Sequence, residues 1–272
     1  MNSEPTVIVI GAGIVGVAIA RALQREGHKV TLVEKDAPGR ATSFGNAGFI
    51  AIDHVLPLAR PSTLRRIPRM LADRSGPLTI HPASLPRLLP WMARFALAAA
   101  SRAEVAKSIE AYGALMADAN RAWQAEIQAS GLGELFRSNG ALYVYESEAA
   151  FAADATERAL QREKGVAFEI VDGAGAGALA PGLSPHIVRG VRFSDGMHTV
   201  NPHRVVATLA ERFAAEGGRL VQGEVRGFAR DGGAVVSVSL AAAGTETTLP
   251  AKAVVIAAGR ASGELTRKLG FA

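Results

Sequence analysis

Cysteine is absent from the 272-residue sequence, and this absence narrows the chemistry open to the protein. It excludes disulfides, thiolate nucleophiles, iron–sulfur clusters and thiolate zinc sites, and we assign no metal site of any kind. A chain without cysteine fits a reducing compartment, so we expect a cytoplasmic protein. No apolar stretch approaches the about 20 residues of a membrane span, and the first strand begins too early to leave room for a cleavable signal.

Lysine runs, basic strands interleaved with aromatic residues and nucleic-acid recognition motifs are also absent. The net charge of +5 is modest and comes from scattered arginines, so we expect no nucleic-acid partner. With 49% hydrophobic residues, the chain can bury a sizeable core and form one or two domains.

The first 35 residues carry the strongest pattern in the chain. A short β-branched run at residues 6–10 predicts a buried parallel strand, and the glycine-rich sequence GAGIVG follows at residues 11–16. Apolar spacing predicts a helix over residues 14–26 and a second strand over residues 28–33, after which comes Glu34. The glycine pattern alone would fit an ordinary turn, but strand, helix, second strand and acid in this order favour a dinucleotide site.

Each part of this pattern has a physical role in holding a dinucleotide. Gly11 permits a tight turn, Gly13 allows a pyrophosphate to approach the backbone, and Gly16 lets the helix pack closely on the sheet. The pyrophosphate would lie at the helix N-terminus, and Glu34 would accept hydrogen bonds from a ribose and repel the extra phosphate of NADP. The predicted cofactor-binding residues of this segment are Gly11, Ala12, Gly13, Ile14, Val15, Gly16, Glu34 and Lys35.

The loop over residues 36–50 is rich in small and polar residues, and it could be a plain connection or a second wall of the cofactor site. Together with the opening motif, its sequence TSFGNAG at residues 42–48 resembles the N-terminus of the FAD-dependent D-amino-acid oxidase superfamily. Within that superfamily, the likeness is strongest to bacterial D-amino-acid dehydrogenases of the small-subunit type. The resemblance implies FAD as the cofactor, and contacts to it beside the flavin ring from Ser43, Asn46, Ala47 and Gly48.

Two later segments extend the resemblance. Val225 follows a predicted strand at residues 219–222 and matches the family valine whose backbone holds the adenine. The alternative is that Val225 is one more sheet residue. The apolar run at residues 253–259 predicts a buried parallel strand ending in glycine. It resembles the second dinucleotide motif of these flavoproteins, which implies cofactor contacts from Ala258 and Gly259.

We therefore predict an α/β fold: a Rossmann-like FAD-binding domain with a parallel sheet and an inserted α+β substrate domain. Residues 1–80 and 198–272 would form the FAD-binding domain, and residues 81–197 part of the substrate domain. Seven prolines between residues 53 and 90 are expected to prevent any long regular element there. Residues 88–130 are expected to form a pair of packing helices.

The rest of the inserted domain changes to a strand pattern. Strand-like runs at residues 141–145, 167–171 and 187–193, with a helical run at residues 148–164, predict a mixed or antiparallel sheet. Asn201 is expected to cap a helix over residues 203–216, with Pro202 in its first turn. Residues 228–250 predict a hairpin.

The resemblance implies that the protein oxidises the C–N bond of a D-amino acid, giving an imino acid that hydrolyses to a keto acid. Another flavin amine oxidase, of the sarcosine or glycine type, remains an alternative. So does an inactive FAD-binding fragment, or a subunit that needs a partner chain. We assign no catalytic residue. A peripheral membrane or electron-acceptor partner, with association at the inner membrane face, is left open, and the oligomeric state is not predicted.

Members of the family continue for well over a hundred residues more, so the resemblance also implies a C-terminally truncated chain. The continuation carries the arginine that grips the substrate carboxylate and the segment that faces the flavin pyrimidine. We therefore expect these 272 residues alone to bind FAD weakly, through its ADP half, with negligible turnover.

Overall fold

The order of helices and strands follows the alternation that the sequence predicts. The computed structural model describes residues 5–51, 55–73, 76, 78–242 and 244–271. In chain order the elements are β1 (Thr6–Ile10), α1 (Ile14–Arg25), β2 (Val30–Glu34), β3 (Phe49–Ile50), α2 (Pro61–Ala72), α3 (Leu85–Ala100), α4 (Arg102–Ala117), α5 (Ala119–Ser130), β4 (Phe136–Arg137), β5 (Ala141–Tyr145), α6 (Glu148–Ala153), α7 (Ala155–Glu163), β6 (Glu169–Asp172), α8 (Gly173–Leu179), β7 (Arg189–Phe193), β8 (Met197–Thr199), α9 (Pro202–Ala215), β9 (Arg219–Gln222), β10 (Glu224–Asp231), β11 (Ala234–Ala242), β12 (Thr245–Ile256) and α10 (Ser262–Lys268).

The chain divides into two units, neither of which is continuous in sequence. The first contains Met1–Phe49, Glu126–Arg137 and His198–Ala272, and the second contains Ile50–Ala125 and Ser138–Met197. Among the described residues, no helix combines the length and the apolar character that crossing a membrane requires.

A six-stranded sheet in the order β10-β11-β12-β1-β2-β9 forms the centre of the first unit. β1 pairs in parallel with both β2 and β12, so that Ile10 lies opposite Val33 and Ile256. The apolar side chains of β1 are buried because strands flank it on both sides and α1 packs against it. The antiparallel strands β10, β11 and β12 extend the sheet, as the predicted hairpin over residues 228–250 requires.

α9 contacts α1 within the same unit, and local sequence explains where α9 begins. Asn201 is the N-cap, and its side-chain oxygen accepts a hydrogen bond from the Arg204 N–H at 3.0 Å. Pro202 occupies the first helical position, where its missing N–H costs no helical hydrogen bond. Both roles were predicted from the sequence, and both are confirmed.

The second unit contains a three-stranded antiparallel sheet in the order β5-β7-β6, together with α2, α3, α4, α6, α7 and α8. The predicted antiparallel or mixed sheet is therefore confirmed. The predicted helix over residues 148–164 is divided at Asp154 into α6 and α7. The glycine-rich residues 172–180, which received no helix prediction, include α8, whose N-cap Asp172 accepts a hydrogen bond from the Gly175 N–H at 2.7 Å.

The prediction that prolines prevent long elements between residues 53 and 90 is wrong. α2 is a 12-residue helix and α3 a 16-residue helix. Pro61 and Pro86 lie in the first turns, where no intrahelical N–H bond is lost. Pro68 and Pro90 lie inside the two helices, so each removes one hydrogen bond without ending its helix.

The predicted pair of helices over residues 88–130 is instead three helices, α3, α4 and α5. Ser101 separates the first two and caps α4 by accepting a hydrogen bond from the Glu104 N–H at 3.3 Å. Asp118 separates the second two.

The division into units differs from the predicted domain ranges in two segments, while the boundary at residue 198 coincides. Residues 50–80 group with the second unit because α2 packs on α3 and Arg60 forms an ion pair with Glu157 at 2.7 Å. Residues 126–137 group with the first unit because Glu126 and Ser130 bind a side chain of α1.

That side chain is Arg21, which is only 2% exposed. Its Nε lies 3.0 Å from Glu126 Oε1 and its Nη2 lies 3.0 Å from Ser130 Oγ, while Nη1 lies 3.3 Å from both carboxylate oxygens of Glu216. Arg25 Nη2 also lies 2.7 Å from Glu126 Oε2. We call these five residues the Arg21 cluster.

The pKa of Glu126 is lowered in this cluster. Desolvation by burial is the largest single influence and acts to raise the pKa, but it is outweighed by the hydrogen bonds from Ser130 and Arg25 and the charges of Arg21 and Arg25. Ionised Glu126 therefore stabilises the folded state above the usual glutamate range, and this stabilisation is lost as the pH falls through the lowered value.

We predict that Glu126→Gln lowers the free energy of unfolding at pH 7, and that the difference from the parent shrinks as the pH is lowered toward about 3. Urea unfolding at a series of pH values measures this difference. Glu211→Gln, at an exposed position of α9, is the matched control and should show little effect at any pH. A difference between Glu126→Gln and the parent that grows toward acid pH would contradict the assignment.

Candidate cofactor site

The turn after β1 leaves no space for side chains at two of its glycines. A Cβ on Gly16 would lie 1.8 Å from the Gly11 carbonyl oxygen, which is far inside van der Waals contact. Gly11 has φ +103°, and a Cβ there would lie 2.6 Å from the Ala257 carbonyl oxygen. These two glycines therefore let α1 and the end of β12 approach the end of β1 closely.

The first turn of α1 forms the floor of the candidate site. Gly13 is its N-cap, with extended backbone, and as a glycine it has no side chain of its own that could accept from a first-turn N–H. Ser43 Oγ accepts a hydrogen bond from the Ile14 N–H at 3.0 Å, and a Cβ on Gly13 would lie 3.2 Å from the same oxygen. The N–H groups of a first turn have no intrahelical acceptor and lie at the positive end of the helix dipole, so this surface suits an anion such as a pyrophosphate. Val15 is 60% exposed beside it.

Glu34 ends β2 and reaches back over the glycine-rich turn. Its Oε2 accepts a hydrogen bond from the Ala12 N–H at 2.7 Å, and its Oε1 accepts hydrogen bonds from the N–H groups of Lys35 and Asp36 at 2.9 and 3.3 Å. The Gly223 N–H donates to the Glu34 carbonyl oxygen at 2.8 Å, which places the start of β10 beside this acid.

Val225 lies two residues beyond Gly223, near the start of β10, and its side chain is buried in the apolar core of the sheet. Its exposure of 8% leaves the backbone as the part available for recognition. Lys35, in contrast, is exposed.

The Asn46 side chain and the Gly48 backbone hold the loop at residues 43–48 in place through hydrogen bonds. Asn46 Oδ1 accepts a hydrogen bond from the Gly48 N–H at 2.7 Å, and Asn46 Nδ2 donates to the Ser43 carbonyl oxygen at 3.2 Å. The Gly48 carbonyl oxygen accepts a hydrogen bond from the Thr199 N–H at 2.8 Å, and Gly48 has φ +68°. Asn46 and Ala47 are exposed, while Gly48 is buried.

Ala258 and Gly259 follow β12 at the same edge of the sheet. β12 ends at Ile256, three residues before the predicted strand end, because the chain turns into a short 3₁₀ helix at Gly259–Ala261. A Cβ on Gly11 would lie 2.9 Å from the Ala258 Cα, so this segment also borders the glycine-rich turn.

The fold thus brings the predicted residues of the glycine-rich turn, Glu34, Ser43, Val225, Ala258 and Gly259 to the carboxyl ends of neighbouring strands. Sequence reasoning missed Gly39, whose N–H donates to the Ala12 carbonyl oxygen at 2.9 Å and whose φ is +75°. The Pro-Gly pair at residues 38–39 was an available turn signal. It also missed Ala257, which nothing in the sequence distinguishes from its apolar neighbours.

These features fit a dinucleotide such as FAD. In the described part of the chain, and apart from the chain neighbours of Gly13, only Ser43 Oγ lies within 4 Å of a Cβ built on this residue. First-turn N–H groups lie beside Gly13, and the Glu34 carboxylate lies at the end of the next strand. The individual contacts of these residues with FAD remain predictions.

Comparison with known proteins agrees with this geometry. The sequence model of the DAO family, described as FAD dependent oxidoreductase, matches residues 6–271. The chain belongs to this family. The resemblance drawn from the opening motif is confirmed, as is FAD as the cofactor of the DAO family.

Curated relatives of this DAO-family chain include two named amino-acid enzymes. The D-amino-acid oxidase of Bradyrhizobium diazoefficiens is 34% identical over 267 residues, covering 97% of this chain and 62% of the relative. The D-amino acid dehydrogenase of Rhodopseudomonas palustris is 31% identical over 272 residues, again covering 97% of this chain and 62% of the relative. The chain therefore spans less than two thirds of the length of these relatives.

Solved structures of the same fold include the L-amino acid deaminase from Proteus vulgaris. It matches all of this chain and 52% of its own with a TM-score of 0.67 at 19% identity. The glycine oxidase from Bacillus cereus matches 97% of this chain and 58% of its own with a TM-score of 0.62 at 18% identity. The predicted Rossmann-like fold is thereby confirmed for this DAO-family chain.

We predict that Gly13→Val abolishes FAD binding while the protein stays folded, because the branched side chain would fill the space beside the first-turn N–H groups. FAD occupancy after purification and thermal unfolding measure the two effects. Gly177→Val in α8, where an added Cβ meets nothing within 4 Å, is the control and should retain FAD. Equal occupancy in Gly13→Val and the parent would place the phosphates elsewhere.

Proposed function

We propose that the protein binds FAD and oxidises the C–N bond of a D-amino acid to an imino acid, which hydrolyses to a keto acid and ammonia. One observation carries the proposal. The first-turn N–H groups at Gly13 and the carboxylate of Glu34 lie together in a chain that is 34% identical to a D-amino-acid oxidase. The first unit would be the FAD-binding domain, and the second would supply part of the substrate domain.

In this proposal the first turn of α1 holds the pyrophosphate of FAD through its N–H groups, with Gly13 providing the space. Glu34 accepts hydrogen bonds from the adenosine ribose, and the backbone at Val225 holds the adenine. Ala258 and Gly259 border the site from β12, and the loop at residues 43–48 lies on the flavin side. Together these contacts would orient the cofactor.

When bound, FAD would supply the redox chemistry, a two-electron oxidation of the substrate C–N bond. The neutral amine assists through its own lone pair, so the step demands no strong base from the protein. This agrees with our assigning no catalytic residue. The residues that we propose at the site bind and orient rather than transfer protons.

Identification of the bound nucleotide and a substrate panel test the proposal. The protein is denatured to release its nucleotide, and the intact protein is mixed with D-amino acids, glycine and sarcosine while its flavin absorbance is followed. We expect a small amount of FAD in the released fraction. With FAD added, we expect bleaching by D-amino acids that is far slower than a complete family member would give, because these 272 residues alone are expected to bind FAD weakly with negligible turnover.

Release of NADP in place of FAD would overturn the cofactor assignment. Bleaching only with glycine or sarcosine would favour the alternative amine substrate over D-amino acids. Bound FAD with no bleaching by any substrate would favour an inactive fragment or a subunit that requires a partner chain.

We further propose an anionic phospholipid surface as a partner of α3. Between residues 55 and 103 the sequence has eight arginines, one aspartate and neither lysine nor glutamate. Two of these arginines, Arg60 and Arg66, form ion pairs with Glu157 and Asp154, so the argument depends on the arginines of α3. α3 exposes an apolar stripe that includes Leu89 and Leu97, the latter 73% exposed, and Trp91 is also exposed. Exposed Arg87 and Arg94 lie on the same helix. Apolar and basic side chains on an acid-free helix are complementary to anionic headgroups and the acyl boundary beneath them.

Cosedimentation with vesicles of phosphatidylcholine, with and without phosphatidylglycerol, tests this partner. We expect binding only with the anionic lipid and an affinity about tenfold or more lower for Arg87→Gln/Arg94→Gln. The control Arg226→Gln/Lys252→Gln removes two exposed cations from the first unit and should bind as the parent does. Equal binding to neutral vesicles, or no binding to either, would contradict the proposal.

A further inference from the structure

Arg21 lies on the cofactor-binding helix but belongs to its second half, beyond the turn at the candidate site. It is almost fully buried, and its guanidinium contacts Glu126 and Ser130 in the second half of α5, together with Glu216 at the C-cap of α9. A buried arginine is costly unless its donors are paired, so the position of these partners is strongly determined. α1 therefore fixes the point at which the chain re-enters the first unit at Glu126.

From this anchor the chain runs a short distance to β4. Ser130 is followed by Gly131 at φ +65° and by Leu132, which is 1% exposed. The Leu135 carbonyl oxygen accepts a hydrogen bond from the Val200 N–H at 3.0 Å, and Phe136 pairs with Thr199 across β4 and β8. The arginine thus holds one end of a segment whose other end aligns β8.

β8 in turn holds the end of the loop at residues 43–48. The Thr199 N–H donates to the Gly48 carbonyl oxygen at 2.8 Å, and a Cβ on Gly48 would lie 2.5 Å from the Thr199 carbonyl oxygen. At its other end the loop returns to α1, where Ser43 Oγ accepts the hydrogen bond from the Ile14 N–H.

These contacts form a closed path that starts at the second half of α1 and ends at its first turn. We infer that Arg21 is a positioning residue for the loop at residues 43–48, acting through residues 126–137 and Thr199 without touching the cofactor. The inference rests on the proposed FAD site, because the loop matters only if it borders the flavin. Arg21 would then affect the flavin side of the site more than the ADP side, which depends on Gly13 and Glu34.

Two variants test the inference. Arg21→Lys keeps the charge but cannot reproduce the planar fork that reaches Glu126, Ser130 and Glu216 together. Ser130→Ala removes a single contact of the guanidinium. It is the variant to measure if Arg21→Lys does not fold. The matched control is Arg25→Gln. Arg25 also binds Glu126, but it is 46% exposed, and the arginine that binds Ser130 is Arg21.

Hydrogen–deuterium exchange without cofactor is the first measurement. We expect amide exchange in a peptide covering residues 197–201 to rise about tenfold in Arg21→Lys, and little in Arg25→Gln. The second measurement compares the affinities for FAD and ADP. We expect FAD binding to weaken about five- to tenfold while ADP binding changes less than about twofold.

Unchanged exchange at residues 197–201 in a folded Arg21→Lys or Ser130→Ala protein would overturn the inference. So would equal weakening of FAD and ADP binding, since that is the signature of general destabilisation. If the parent protein binds ADP but no FAD, the proposed function fails, while the exchange measurement still decides whether Arg21 controls β8.

Discussion

The absence of a side chain at Gly16 is the constraint on which the rest of this site depends. A Cβ there would lie 1.8 Å from the Gly11 carbonyl oxygen, so α1 can lie against the end of β1 only with glycine at this position. That close approach brings the first-turn N–H groups to the carboxyl edge of the sheet, beside Glu34 and the end of β12. Anion binding by the helix dipole and ribose binding by the acid then become possible at one place.

Elements whose cause is local were predictable from the sequence. The bounds of β1, β5 and β9 agree with their predicted ranges, because short β-branched runs bounded by turn residues specify strands. The start of α9 was equally predictable, since Asn201 and Pro202 satisfy the helix terminus through their own chemistry. The glycine-rich turn has a strand signal before it and a helix-start signal after it. Its fold and its candidate role could therefore be predicted from the same residues.

Features whose cause is distant in sequence were not predictable. Arg21 finds Glu126, Ser130 and Glu216 at separations of 105, 109 and 195 residues, and nothing near it in the sequence indicates burial. The prediction for the proline-rich region was wrong for a related reason. A proline inside α2 or α3 costs one hydrogen bond, and the packing of the helix outweighs that loss. Composition indicates only that cost, so it predicted no long helix where tertiary contacts favour one.

Glu34 shows how one residue can satisfy a structural and a functional demand together. Its two carboxylate oxygens accept three backbone N–H bonds, from Ala12, Lys35 and Asp36. An ionised carboxylate offers about four acceptor positions, so accepting from the turn does not exhaust its capacity. The bonds that close the turn also fix the carboxylate's direction before any nucleotide arrives, which lowers the ordering cost of binding a ribose there. The acid that we propose for binding the ribose is therefore held in place by the turn that would carry the phosphates.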